Sequence, residues 1–130
     1  VSPNEDYDAY CKYNDCKEIR KALTSLIGEL CLLDVIEESY VVTLINDLYE
    51  QFNAHIHSAD MKFLCDELSE YIKLLICKTI NVLMKVPEWE DINKRIEETS
   101  KMKPRVLPGF SSKALFCYYD VKDTIQKQTK

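Results

Sequence analysis

Glycine is nearly missing: only Gly28 and Gly109 occur in 130 residues, beside four prolines. A β-rich domain of this length needs glycine at its hairpin turns. Scarcity of both punctuating residues excludes a sandwich or barrel and points to helices joined by short connections. An excess of basic charge is also lacking, since the net charge is −5. That argues against a nucleic-acid binder, which needs a basic stripe to displace counterions from phosphates, and equally against an anionic membrane surface. No apolar run can span a bilayer, because "YIKLLICKTINVLMKV" is interrupted by Lys73, Lys78 and Lys85. There is no C-x-x-C, no glycine-rich phosphate loop, no H-E-x-x-H and no N-x-S/T. Zinc-ribbon, thioredoxin, nucleotide-cradling and zincin readings therefore have no basis, and N-glycosylation is not expected.

What is present is a globular composition, 46% hydrophobic and 30% charged. Residues 1–13 are polar, tyrosine-rich and without period, and read as an N-terminal arm; residues 14–130 read as one helical-bundle domain. Asn14 or Asp15 can cap a first helix whose Ile19, Leu23, Leu26, Ile27, Leu30 and Leu33 share one face. That face is expected to be its core side. A second stripe runs Val41, Leu44, Ile45, Leu48, Phe52, Ile56. A third helix, from about Ala59 to Lys85 with Ser58 as cap, stacks Met61, Leu64, Leu68, Ile72, Leu75, Thr79, Val82 and Leu83, with Ile76 and Ile80 widening the stripe. Pro87 ends it and opens a short charged helix with Trp89, Ile92 and Ile96 inward. After "KMKPRVLPGF", Ser111 or Ser112 caps a last helix carrying Ala114, Tyr118, Val121 and Ile125. The fold class is all-α: a compact bundle of four to five mostly up-and-down helices. Phe52, Phe63, Trp89, Phe116, Met61 and Met84 are enough to fill an ordinary core.

Six cysteines, Cys11, Cys16, Cys31, Cys65, Cys77 and Cys117, are separated by 4, 14, 33, 11 and 39 residues. An even count at this density implies about three disulfides and a secreted chain. The start at Val1 is what removal of a signal peptide or trimming would leave. If the first and third helices run the same way, Cys31 and Cys77 stand at similar heights, roughly 24 and 27 Å above their helix starts. Cys31–Cys77 is then the preferred upper bridge. Cys11, Cys16, Cys65 and Cys117 form two lower ones whose pairing stays open.

Chemistry-bearing groups are few. His55, His57 and Asp60 lie within "AHIHSAD" and lack a fourth metal ligand, so they read as a solvated corner and no metal or cofactor is expected. With both histidines on one corner, no nucleophile–base–acid set assembles. Glu37/Glu38 and Glu97/Glu98 read as solvated helix ends. The chain is not expected to be an enzyme. Tyrosine is in excess: Tyr7, Tyr10 and Tyr13 in the arm, with Tyr118 and Tyr119 near the end, form a candidate protein interface or pack the arm onto the bundle. Tyr7 in "NEDYDAY" also sits in an acidic setting of the kind tyrosine sulfation prefers.

Architecture alone resembles short-chain helical cytokines: a disulfide-clamped secreted bundle with one longer connection. That resemblance implies a receptor or host-protein ligand. The spacings depart from insect odorant-binding proteins, whose second and third cysteines lie three residues apart, and from saposin-type proteins, which begin with C-x-x-C. Length and the apolar central helix also resemble intracellular Bcl-2-like viral binding modules, whose thiols stay reduced. A secreted protein-binding helical protein is the leading expectation. A secreted carrier of a small apolar ligand and a Bcl-2-like groove module are the alternatives.

Overall fold

Helix α1 (Tyr7–Leu32) is followed by α2 (Glu38–His55), a 3₁₀ turn (Ala59–Met61), α3 (Lys62–Leu83), α4 (Trp89–Ser100) and α5 (Ser112–Thr129). The computed structural model describes residues 7–129, and side chains from 11 to 128. No strand occurs among the described residues, so the all-α expectation holds: five helices pack together around α3, which touches α1, α2 and α5.

The expected arm over residues 1–13 is corrected. Residues 7–13 belong to α1, and Asn14 and Asp15 are interior to it. Nothing between Tyr7 and Tyr13 breaks a helix, and each added residue brings one hydrogen bond once a helix has nucleated. The Tyr13 hydroxyl also donates to Glu67 Oε1 at 3.0 Å, tying this turn to α3. Residues 1–6 lie outside the described residues. At its other end α1 stops where Asp34 takes a left-handed φ of 61°, a conformation aspartate tolerates better than most residues.

α1 and α3 run parallel, as the pairs Tyr13–Phe63, Arg20–Glu67 and Glu29–Lys78 advance together. α5 is parallel to α3 by the same test, through Asp66–Ser111, Ser69–Tyr118 and Cys77–Thr124. α2 folds back along α3 and closes the centre. Val41, Ile45, Phe52 and Ile56 are buried as expected, with Leu44 and Leu48 packed at the edge. α3 is enclosed on several sides, burying Leu68, Ile72, Leu75, Ile76, Ile80 and Leu83. It bends at Thr79 (φ −108°, ψ 15°), whose hydroxyl donates back to the Leu75 carbonyl at 2.5 Å. Trp89, Ile92 and Ile96 of α4 face inward. Ser111 caps α5, its Oγ accepting from the Ala114 amide at 3.0 Å while donating to Asp66.

The aromatic centre is Tyr49, Phe52, Phe110 and Tyr118, with ring centroids 5.6–6.5 Å apart. Phe63 and Phe116, expected among the core fillers, are exposed instead. Gly109 locks the α4–α5 connection onto the α2 corner. Its amide donates to the Ile56 carbonyl at 2.7 Å, and a Cβ there would lie 2.5 Å from the His55 carbonyl oxygen.

The expected disulfide staples are also corrected, because all six cysteines are free. Cys31–Cys77 fails by rotation and not by height. α1 and α3 are parallel as that pairing requires, but the α3 residues meeting α1 at Gly28 are Lys78 and Thr79. Cys77, one residue earlier and about 100° round the helix, turns to α5 and donates to Thr124 Oγ1 at 3.5 Å. Cys31 and Cys65 are buried in the apolar core, with the Cys65 thiol 3.9 Å from the Phe52 carbonyl oxygen. Cys117 is buried on α5, Cys11 is half-buried, and Cys16 is exposed.

Candidate functional site

α1 is attached to the body through polar chemistry. The Arg20 guanidinium donates to both carboxylate oxygens of Glu67, from Nη2 to Oε1 at 2.7 Å and from Nε to Oε2 at 3.1 Å. Arg20 Nε also reaches the Tyr71 hydroxyl at 3.2 Å, and the guanidinium lies 5.6 Å from the centre of the Tyr13 ring. Glu67 is buried while Arg20 remains part-exposed. Burial would push the Glu67 carboxyl up; hydrogen bonding to Arg20, Tyr71 and Tyr13 outweighs it and holds the group below its ordinary range. Burial raises the Tyr71 phenol to about 12. Further ion pairs continue the attachment: Lys17 and Lys21 face Glu70 at 3.9 and 3.7 Å, and Lys78 holds Glu29 at 2.8 Å. Gly28 lets the two backbones close up against Lys78 and Thr79.

The consequence is the orientation of the α1 apolar stripe. Expected inside, it faces out: Ile19, Leu23, Leu26 and Leu33 are 59, 54, 49 and 72% exposed. Ile27 and Leu30 are the partly buried members of the stripe. Tyr13, Lys17, Arg20, Thr24, Ile27, Gly28 and Cys31 occupy the body side. The exposed seam lies roughly a third of a turn round the helix from it, at 100° per residue. Scattered single exposed leucines are ordinary, but contiguous ones along one helix face are not.

The tyrosines expected to form an interface divide. Tyr118 is fully buried, accepting from Ser69 at 3.1 Å, and belongs to the aromatic core, so it cannot meet a partner. Tyr13 serves the clamp on Glu67. Tyr119 is exposed beside Phe116, their rings 6.1 Å apart. The side chains of Tyr7 and Tyr10 lie outside the described residues, and the sulfation reading of Tyr7 with them. His55 is half-buried at the end of α2 and His57 is exposed in the corner beyond it. No group of three His, Cys, Asp or Glu side chains that could hold a metal occurs among the described residues.

Three open clefts of about 500, 410 and 340 Å³ line the surface. The first runs between α1, α3 and α5, where Lys21, Lys73 and Lys113 face Glu70 and Asp120 over Leu74, Phe116 and Cys117. The other two are lined by charged and amide side chains of α4 and its neighbours. Charged groups rim the first cleft over a mostly apolar lining, and all three clefts are open to solvent, whereas ligand pockets bury most of their ligand.

Sequence reasoning located the α1 stripe and missed which way it points. The available signal lay in its edges. The flank carrying Tyr13, Lys17, Arg20 and Lys21 matches Glu67 and Glu70, two of the carboxylates of α3. Comparison with protein-family models, curated proteins and solved structures finds no match for the chain.

Proposed function

We propose that the protein acts by contact and not by reaction: a helical binding module that holds another polypeptide on the outward apolar face of α1. One observation carries this reading. A 26-residue helix is fixed to its domain by an Arg20–Glu67 clamp while Ile19, Leu23, Leu26 and Leu33 stand in solvent. Apolar area removed from water contributes about 25 cal/mol per Å², so covering that face is favourable for any complementary helix.

The six free thiols support a reducing compartment over the expected secretion, since Cys16 would be an oxidation liability outside a cell. A central apolar helix packed against three others, with all six cysteines unbonded, favours the Bcl-2-like alternative over a disulfide-clamped cytokine in architecture. The contact face proposed here is nonetheless the outside of α1 and not a groove. The clefts are open and would leave much of an apolar ligand in water, which gives little support to the alternative of an apolar-ligand carrier.

The test is photo-crosslinking from a reactive side chain introduced at Leu26 of the full chain, with and without Leu23→Glu, at native expression. Cross-links to a polypeptide that vanish with Leu23→Glu, while circular dichroism stays unchanged, are expected. Cross-linking indifferent to Leu23→Glu overturns the reading.

A further inference from the structure

The pattern on α1 is stricter than a helix lying on its own domain requires. Cys16, Ile19, Leu23, Leu26, Leu30 and Leu33 follow one another at intervals of 3, 4, 3, 4 and 3 residues. That is the seven-residue repeat of a seam between two helices, narrower than the stripe of a helix buried against several neighbours. Here the seam has no second helix.

Resting on the reading of this face as a protein-contact surface, we propose that its occupant is a second copy of the same chain, with the two α1 helices paired antiparallel about a two-fold axis near Thr24 and Ser25. In that register Cys16 lies level with Leu33 of the second copy, Ile19 with Leu30, and Leu23 with Leu26. The six layers contain no charged residue. Lys12 lies at the end of the second copy where its chain leaves α1 through Asp34 and enters α2 at Glu37, and Ala22 faces Glu29. A parallel pairing would stack Lys12 on Lys12, so charge favours the antiparallel form.

The exposed parts of Ile19, Leu23, Leu26 and Leu33 come to on the order of 450 Å², within the largest patch that a monomer commonly leaves open. Side chains flanking the seam would supply the rest of the roughly 800 Å² per partner of a stable interface. A two-fold axis makes the patch self-complementary, which is what a closed dimer requires.

Sedimentation velocity on the full chain under reducing conditions, across concentrations up to about 100 µM, is the test. The 15.2 kDa chain is expected to sediment as a dimer. Leu23→Glu weakens association at least 100-fold with helicity kept. Lys12→Glu weakens it less, and adding Glu37→Lys restores it, a rescue that a folding defect would not show. Under mild oxidation Leu33→Cys cross-links to Cys16 of the second copy, whereas a Cys16–Cys16 cross-link would contradict the antiparallel register. A monomer at every concentration overturns the proposal. If Leu26 photo-crosslinks to a different protein in that case, only the self-pairing falls; if it captures nothing, the contact function falls too.

Discussion

Arg20 and Glu67 form a two-pronged ion pair, 2.7 and 3.1 Å between nitrogens and oxygens, that joins α1 to α3 across 47 residues of sequence. The carboxylate is buried and the guanidinium is not, so removing the arginine strands a charge. Arg20→Met is expected to destabilise the fold by about 2–3 kcal/mol, below the full range for a wholly buried pair because Arg20 is part-exposed. The pH dependence identifies the cause. In the native protein Glu67 is held below its ordinary value, so its contribution is complete above about pH 4.3 and is lost as pH falls through the folded value. In Arg20→Met burial dominates and the carboxyl rises, so protonation relieves the strain. Chemical denaturation of both proteins from pH 7 to 3 should show the gap between them narrowing with acid. A gap that is flat in pH would reject the assignment.

Gly109→Ala tests the close approach of the α4–α5 connection to the α2 corner. A methyl group placed 2.5 Å from the His55 oxygen and 2.7 Å from the Ile56 oxygen meets backbone, which cannot swing aside. The amide bond from Gly109 to Ile56 must lengthen or break. A loss of about 2–3 kcal/mol, read as a fall of several degrees in Tm, is expected. An unchanged melt would mean that the connection is not seated there.

Phe52 and Phe63 invert the weight that composition gives them. Phe52 is wholly buried within 5.6–6.2 Å of three rings, so Phe52→Ala should cost about 3–5 kcal/mol. Phe63 is exposed and meets one ring edge, Tyr13 at 5.9 Å, so Phe63→Ala should cost about 1 kcal/mol or less. Urea denaturation midpoints measure both, and equal losses would contradict the packing.

Thiol titration separates the cysteines by environment. Burial pushes the Cys65 thiol up to about 11 and raises Cys31 and Cys117, so all three should resist alkylation in the folded protein. Cys16 is exposed and should react first. Six thiols should react after unfolding without reductant. Fewer than six in freshly isolated protein would support the oxidised, extracellular reading.

How much of this was legible follows from where tertiary contacts override local pattern. The helices α2 to α5 were readable because their stripes carry one meaning: Ile45, Phe52, Ile72 and Ile96 are apolar and have nowhere else to go. α1 carries two usable faces. Periodicity finds the apolar one, but nothing local says that Arg20 will find Glu67 or that Gly28 will admit Lys78, and these contacts decide the rotation. Cysteine parity pointed to cross-links for a similar reason. Count and height were readable, whereas the side to which Cys77 turns depends on α5, packed forty residues downstream. Tyr118 stood both on the inner face of the last helix and among candidate interface tyrosines; burial assigns it to the first.

The outward rotation of α1 is most directly tested by the melting of Leu23→Glu/Leu26→Glu against the parent chain, at dilutions where any association has been lost. With those two leucines in solvent the change should stay within about 1 kcal/mol, the sum expected for two ordinary surface substitutions. A loss of about 5 kcal/mol or more, as charges forced into a packed core would bring, would mean that the stripe faces inward and that the contact surface does not exist.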